Sequence, residues 1–382
     1  MMDYKLDDYE AIFTDYNELR EETNKFMEDS QWIPGAISKK LLIEAFEPIE
    51  AQEVAKNLGV NYDLVFDTGE HTQLLITNAG KRYLLRDTAV DSILETAKIN
   101  GSALGKISKD NLATILNMCL NVAKGDSLLL LRGGKICACL SDSIYKIMPI
   151  PELLDVTIKV LSDKFGETVF IEGSNNYRMT DCFWKFPEAQ GDILEAYDDI
   201  VATHSKSMFG HSGFIPAVHF MTSDIGKCAA TLIPGFLLKN TFFRINDGIK
   251  VAHKRASSGD DGIELYTKEI DKIFAKFADI EKTLAEMAKT EIENPINAFV
   301  GLCKKAGIPK KYVAEAYEDL ERFACGGSVY MDDIYLCISS CVGTAKRLGA
   351  PKSKQFELEE NAAKILHMQW RDFDVPGIVT WS

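Results

Sequence analysis

Hydrophobic and polar positions divide the chain into a strand-rich stretch and a helical one. Near the start, Tyr4, Leu6, Tyr9, Ile12, Phe13, Tyr16 and Leu19 recur at roughly helical spacing among acids. That pattern predicts an amphipathic helix or arm, which Trp32-Ile33-Pro34-Gly35 ends. Residues 40–58 read as a helix stopped at Asn57-Leu58-Gly59, followed by short strands over 62–67 and 72–77. After Lys81-Arg82-Tyr83-Leu84-Leu85, Asp87 or Thr88 is placed to cap a helix carrying Ile93, Leu94 and Ala97. A further helix is predicted over 108–123. The apolar runs 128–131 and 136–140 flank Gly133-Gly134, a pair that supplies the positive φ of a tight hairpin. A helix at 151–165 and a hairpin over 167–186, turning at Gly173-Ser174-Asn175-Asn176, come next. Strands at 214–222, 228–234, 236–245 and 249–254 complete this part.

From 262 onward the period becomes helical. Ile270, Ile273, Phe277, Ile280, Leu284 and Met287 alternate by threes and fours, a seam too short for a dimer zipper and suited to packing within the chain. Asn294-Pro295 and Ile308-Pro309 fit helix starts, and Gly326-Gly327 and Gly349 fit stops. The class predicted is α+β: a central antiparallel or mixed sheet region with flanking helices, then a helical C-terminal region. The expected division is an acidic amphipathic arm over 1–35, an α+β core over 36–260 and a helical region over 261–382.

Composition adds exclusions. Of 382 residues, 46% are hydrophobic and 26% charged, which is globular, and no apolar run approaches the roughly 20 residues of a membrane span. No membrane partner is expected. The acidic start is unlike a targeting peptide, and the odd count of nine cysteines argues against a disulfide framework, so the expected location is cytoplasmic. Cys137-Ala138-Cys139 has strand spacing, which aims both thiols at one face, and no second pair follows at zinc distance. Neither a metal nor a cofactor is expected. Cys337 and Cys341 read as small core residues.

Charge sharpens the picture. The net of -14 disfavours indiscriminate binding to polyanions. Residues 1–30 carry ten acids against three bases, whereas 201–260 carry three acids against seven bases and four of the six histidines. Within that basic window, the loop from Thr203 to Gly213 offers His204, Ser205, Ser207 and His211 as a candidate anion loop, with Lys206 as a phosphate contact. Arg244, Lys250, Lys254 and Arg255 are further phosphate candidates, and Phe242 a stacking candidate. Phe242 and Arg244 share one strand face, as do Lys250 and Lys254, an arrangement suited to a single nucleic-acid strand. Asp332-Asp333 reads as a solvated turn. There is no phosphate-binding Gly-x-x-x-x-Gly-Lys-Ser/Thr loop, no Gly-x-Gly-x-x-Gly, no His-Glu-x-x-His and no Gly-x-Ser-x-Gly, and no catalytic residue is assigned.

Three segments carry a resemblance: Lys81-Arg82-Tyr83-Leu84-Leu85-Arg86-Asp87-Thr88-Ala89, Arg132 through Lys146, and Phe220-Met221-Thr222-Ser223-Asp224-Ile225-Gly226. Over about residues 75–255 the chain resembles the phage and plasmid-like family described as domain of unknown function 932. It departs from that family at Ile144, where an arginine is usual before the tyrosine, and at Lys98-Ile99-Asn100-Gly101. The resemblance implies a phage or mobile-element setting in a bacterial host cell and brings no established activity. The expectation is a non-enzymatic protein binding single-stranded DNA through a basic sheet face, similar in role to annealing proteins. The alternatives are a protein-interaction component (a phage structural or assembly protein, or an inhibitor of host defence) that engages phage or host proteins or a second copy of itself, and an enzyme with its site in the His204–His211 loop.

Overall fold

In the computed structural model, residues 5–209, 214–238, 241–245, 247–255 and 261–381 are described. The chain opens with β1 (Glu10–Phe13) and α1 (Tyr16–Glu28), whose cap Asp15 accepts from the Asn17 and Glu18 amides. β2 (Gln31–Ala36), β3 (Leu42–Ala45), α2 (Ala51–Leu58) and α3 (Tyr62–Glu70) lead to β4 (Leu74–Asn78) and β5 (Lys81–Leu85). α4 (Asp87–Thr96) and α5 (Lys109–Val122) precede β6 (Ser127–Arg132) and β7 (Lys135–Ser141), joined through Gly133 and Gly134 at φ 60° and 77°. Strands β2 to β7 form a six-stranded sheet ordered β2-β6-β7-β5-β4-β3, antiparallel except where β5 lies parallel to β7.

After α6 (Ile150–Phe165), the strands β8 (Val169–Asn176) and β9 (Thr180–Lys185) precede α7 (Gln190–Val201). β10 (Ile215–Thr222), β11 (Ala230–Leu238), β12 (Thr241–Arg244) and β13 (Ile249–Val251) follow. They build a seven-stranded antiparallel sheet ordered β1-β8-β9-β10-β11-β12, with β13 also on β11. The C-terminal region is helical: α8 (Gly262–Ile270), α9 (Ile273–Lys289), α10 (Pro295–Ala306), α11 (Lys310–Ala324), α12 (Met331–Ser339), α13 (Cys341–Arg347) and α14 (Lys352–Lys364), with a short β14–β15 ribbon (Glu291–Ile292, Val329–Tyr330). The fold is α+β.

Alternation along the seven-stranded sheet sorts side chains between two faces. One face presents Cys182, Trp184, Val218, Phe220, Leu232 and Phe236 to a core shared with α6 to α9, whose seam residues Ile270, Ile273, Phe277, Ile280, Leu284 and Met287 are all buried. That core runs on through the C-terminal helices, so among the described residues the sheet and the helical region share one cluster. The six-stranded sheet instead has its own clusters against α2 to α5.

Several sequence expectations are corrected. The N-terminal segment is not a separate arm: β1 pairs with β8, and Leu19 and Phe26 of α1 are buried. Residues 62–67 are helical because the Asn61 side chain caps the Asp63 amide, and β3 precedes the helix expected over 40–58. Gly173-Ser174-Asn175-Asn176 lies within β8. A Cβ at Gly173 would stand 2.7 Å from the Leu19 methyl, so the glycine admits α1 and does not make the turn. Cys137 and Cys139 enter different clusters because a bulge between Leu130 and Leu131 breaks the alternation.

Candidate functional site

The second face of the seven-stranded sheet collects polar residues. By register, Ser174 opposes Asp181, Phe183 opposes His219, and Arg244 opposes Gly235. Asp181, Phe183, His219, Phe242 and Arg244 therefore project to one side. α14 covers that side with Phe356 and Glu359, and α13 with Val342 and Gly343, leaving a cleft of about 370 Å³ whose walls include Phe183, Leu237, Phe242 and Phe356. Glu359 forms part of its floor, and Glu172, Lys346 and Lys352 also line it.

His219 is fully buried behind this floor. Its ring stacks on Phe183 at 4.0 Å and on Phe356 at 5.4 Å. Nδ1 lies 3.2 Å from Glu359 Oε2, and Nε2 lies 3.7 Å from Asp181 Oδ2, an ion-pair distance beyond hydrogen-bond length. Burial alone would push the imidazole pKa down; the Glu359 charge, with Asp181 behind it, holds it above the ordinary value. Burial would likewise raise the Asp181 carboxyl, yet His219, Lys352 and the Ser174 hydroxyl hold it below the usual carboxylate value. Lys352 stands 3.5 Å from Asp181, and Arg244 Nη1 stands 4.0 Å from Glu359. The cluster is a carboxylate–imidazole–carboxylate relay whose outer carboxylate, Glu359, lines the cleft. It can accept a hydrogen bond from a ligand.

The residues expected to bind nucleic acid are separated. Phe242 and Arg244 share a face as expected, but that face is covered by α14, and both are buried. Arg244 is engaged by Asp247 at 3.6 Å as well as by Glu359, so it is not a surface phosphate contact, and Phe242 is a cleft wall. Lys250, Lys254 and Arg255 are exposed on and beyond β13, with Arg255 3.4 Å from Asp142. Lys206 is exposed elsewhere, its ammonium 5.3 Å from the Phe323 ring centroid.

In the candidate anion loop, His204 stacks on Tyr330 at 3.7 Å and Ser205 is exposed. His211 lies outside the described residues. Ser207 Oγ and the Met208 amide donate to Asp333 Oδ1 at 3.4 and 3.0 Å, so this loop holds an anion that belongs to the protein itself. Asp332-Asp333 is correspondingly a buried pair at the start of α12 and not a solvated turn. Tyr197 OH donates to Asp332, while burial and the Asp332 charge push the Asp333 pKa up to about 7.

The segments that carry the family resemblance meet at the seam between the sheets. Arg132 pairs with Asp224, and Tyr145 OH donates to the Asp224 carbonyl at 2.7 Å while its ring stacks on His253. Arg86 and Lys135, both fully buried, grip Asp7 at 2.6 and 2.9 Å, and the Arg86 guanidinium lies 3.3 Å from the Tyr177 ring centroid. Among the described residues, Asp7, Asp67 and His71 bring potential metal ligands within 4.8 Å of one another. Lys135 already bridges the two carboxylates, so the group reads as an ion-pair network. No described helix is long and apolar enough to cross a membrane.

Sequence reasoning missed Asp181, His219, Lys352, Phe356 and Glu359. The available signal was Lys352-x-x-Gln355-Phe356-x-x-Glu359, one helical face mixing charge with an aromatic ring. The chain matches no family model, no curated protein and no solved structure.

Proposed function

We propose that the protein binds a small ligand in the cleft between the seven-stranded sheet and α13–α14. The observation that carries this reading is the cleft itself. It has the size of a ligand site, with aromatic walls beside four charged side chains, Glu172, Lys346, Lys352 and Glu359, and its floor carboxylate is held by the buried His219 imidazole. A relay of this kind costs stability to bury, and its outer member lies where a ligand can reach it. The test is a fluorescence titration with anilinonaphthalene sulfonate. Saturable binding at one site is expected in the native protein, and its loss in Val342→Trp, which fills the cleft, at unchanged melting temperature. Absence of a saturable signal, or an unaltered signal in the folded variant, would overturn the reading.

A second reading rests on the exposed Lys250, Lys254 and Arg255: contact with the phosphates of single-stranded DNA, in the phage or mobile-element setting that the family resemblance implies. Each phosphate neutralised contributes about -0.7 to the slope of log affinity against log salt. Anisotropy with a labelled oligonucleotide should show that slope falling by about two when all three are replaced by alanine. Binding without salt dependence would rule out this contact.

A further inference from the structure

Resting on the cleft reading, we infer that the ligand is a purine nucleotide, with guanine preferred. α14 presents Lys352, Gln355, Phe356 and Glu359 at positions i, i+3, i+4 and i+7, a single face directed into the cleft. At 1.5 Å per residue, the rise from Lys352 to Glu359 is about 10 Å. Along that line the chemistry is ordered: an ammonium at one end, 3.5 Å from the buried Asp181, an aromatic ring between, and a carboxylate at the other. A matching ligand carries an anion at one end, a planar ring in the middle and N–H donors at the other. It spans about the length of that helical face. A nucleoside monophosphate has this order.

Each end fits in more detail. A carboxylate offers about four lone-pair sites. His219 and Arg244 approach Glu359 from the protein side at 3.2 and 4.0 Å, which leaves acceptor capacity toward the cleft. Guanine presents two adjacent donors, N1–H and N2–H, to such a group, whereas adenine presents only its amino group. At the phosphate end, the exposed Lys346 is joined by the positive end of the α14 dipole and by Lys352, which also serves Asp181. Lys346 pairs with Glu172 at 2.6 Å, with side chains 55% and 28% exposed, and exchanging such a partly solvated pair for a phosphate costs little. Phe356 and Phe242 supply stacking surface for the base, an interaction that tolerates any base and leaves selection to the carboxylate.

Displacement of the bound sulfonate probe tests the ligand class separately from the cleft. GMP should displace it more tightly than AMP, and ribose phosphate without a base should not displace it. Lys346→Ala, at an exposed residue outside the buried ion-pair cluster, should weaken GMP about ten-fold while leaving guanosine unchanged. Glu359→Gln should weaken both ligands about ten-fold. A short single strand ending in guanine that competes as well as GMP would assign the same chemistry to a strand end. If the probe binds and is lost in Val342→Trp but no purine nucleotide displaces it, the ligand class is wrong and the cleft stands. If neither probe nor nucleotide binds, both readings fall.

Discussion

Replacing His219 by phenylalanine isolates the energetics of the relay. The new ring retains stacking between Phe183 and Phe356, but the Asp181 and Glu359 carboxylates lose the imidazole between them. Breaking a buried ion pair on one side costs roughly 3–5 kcal/mol. Here Lys352 at 3.5 Å and Arg244 at 4.0 Å still partly compensate the two acids, which places the expected loss near the lower figure. About 3 kcal/mol is a large share of a typical unfolding free energy. In the native protein the raised His219 pKa contributes fully below the unfolded value near 6.5, and that contribution fades as pH rises through the native pKa. The lowered Asp181 pKa contributes above about 3.8 and is lost as pH falls through the native value. The variant lacks the His219 contribution, so its deficit should be larger at about pH 5 than at about pH 7.5. Urea unfolding followed by circular dichroism at about pH 7.5 and about pH 5 measures both quantities. A loss below about 1 kcal/mol, or a loss no larger at about pH 5 than at about pH 7.5, would refute the cluster as a buried, charged unit.

Two further substitutions probe the other buried acids. Asp333→Asn keeps an oxygen for the Met208 amide and Ser207 hydroxyl while removing a carboxyl whose pKa burial and Asp332 raise to about 7. Such a group loses stability as pH rises from about 3.8 through 7, so the variant should gain about 2 kcal/mol near pH 8 and nothing near pH 4 in urea titrations. Asp7→Ala leaves the fully buried Lys135 with Asp67 and the fully buried Arg86 with the Lys5 and Leu6 carbonyls, and should cost about 3–5 kcal/mol in the same assay. A loss under about 1 kcal/mol would show that this network is hydrated rather than buried.

Legibility in the sequence followed the range of the forces involved. The hairpin across Gly133-Gly134, the α5 helix after Ser108 and the buried seam of α9 are written in local periodicity and turn chemistry, and the structure has them. The strand expected over 62–67 failed because one capping side chain, Asn61, outweighed a pattern too short to separate the two periods. At Gly173 the residue type was read as a turn signal, whereas its purpose is the close approach of Leu19 from α1, which no local window contains.

By itself the sequence determined the α+β class, the helical C-terminal region and the sharing of one strand face by Phe242 and Arg244. Each depends on side-chain alternation within a few residues. Only the tertiary structure decided what that face meets. Strand geometry says that two side chains point the same way; whether they reach solvent depends on the layer packed above them. Here that layer is α14, and its Glu359 lies 140 residues beyond the His219 it holds. The basic and aromatic pattern that suggested a nucleic-acid surface thereby became the interior wall of a cleft, because burying Arg244 and His219 with paired acids is what allows a helix to close over a charged sheet face.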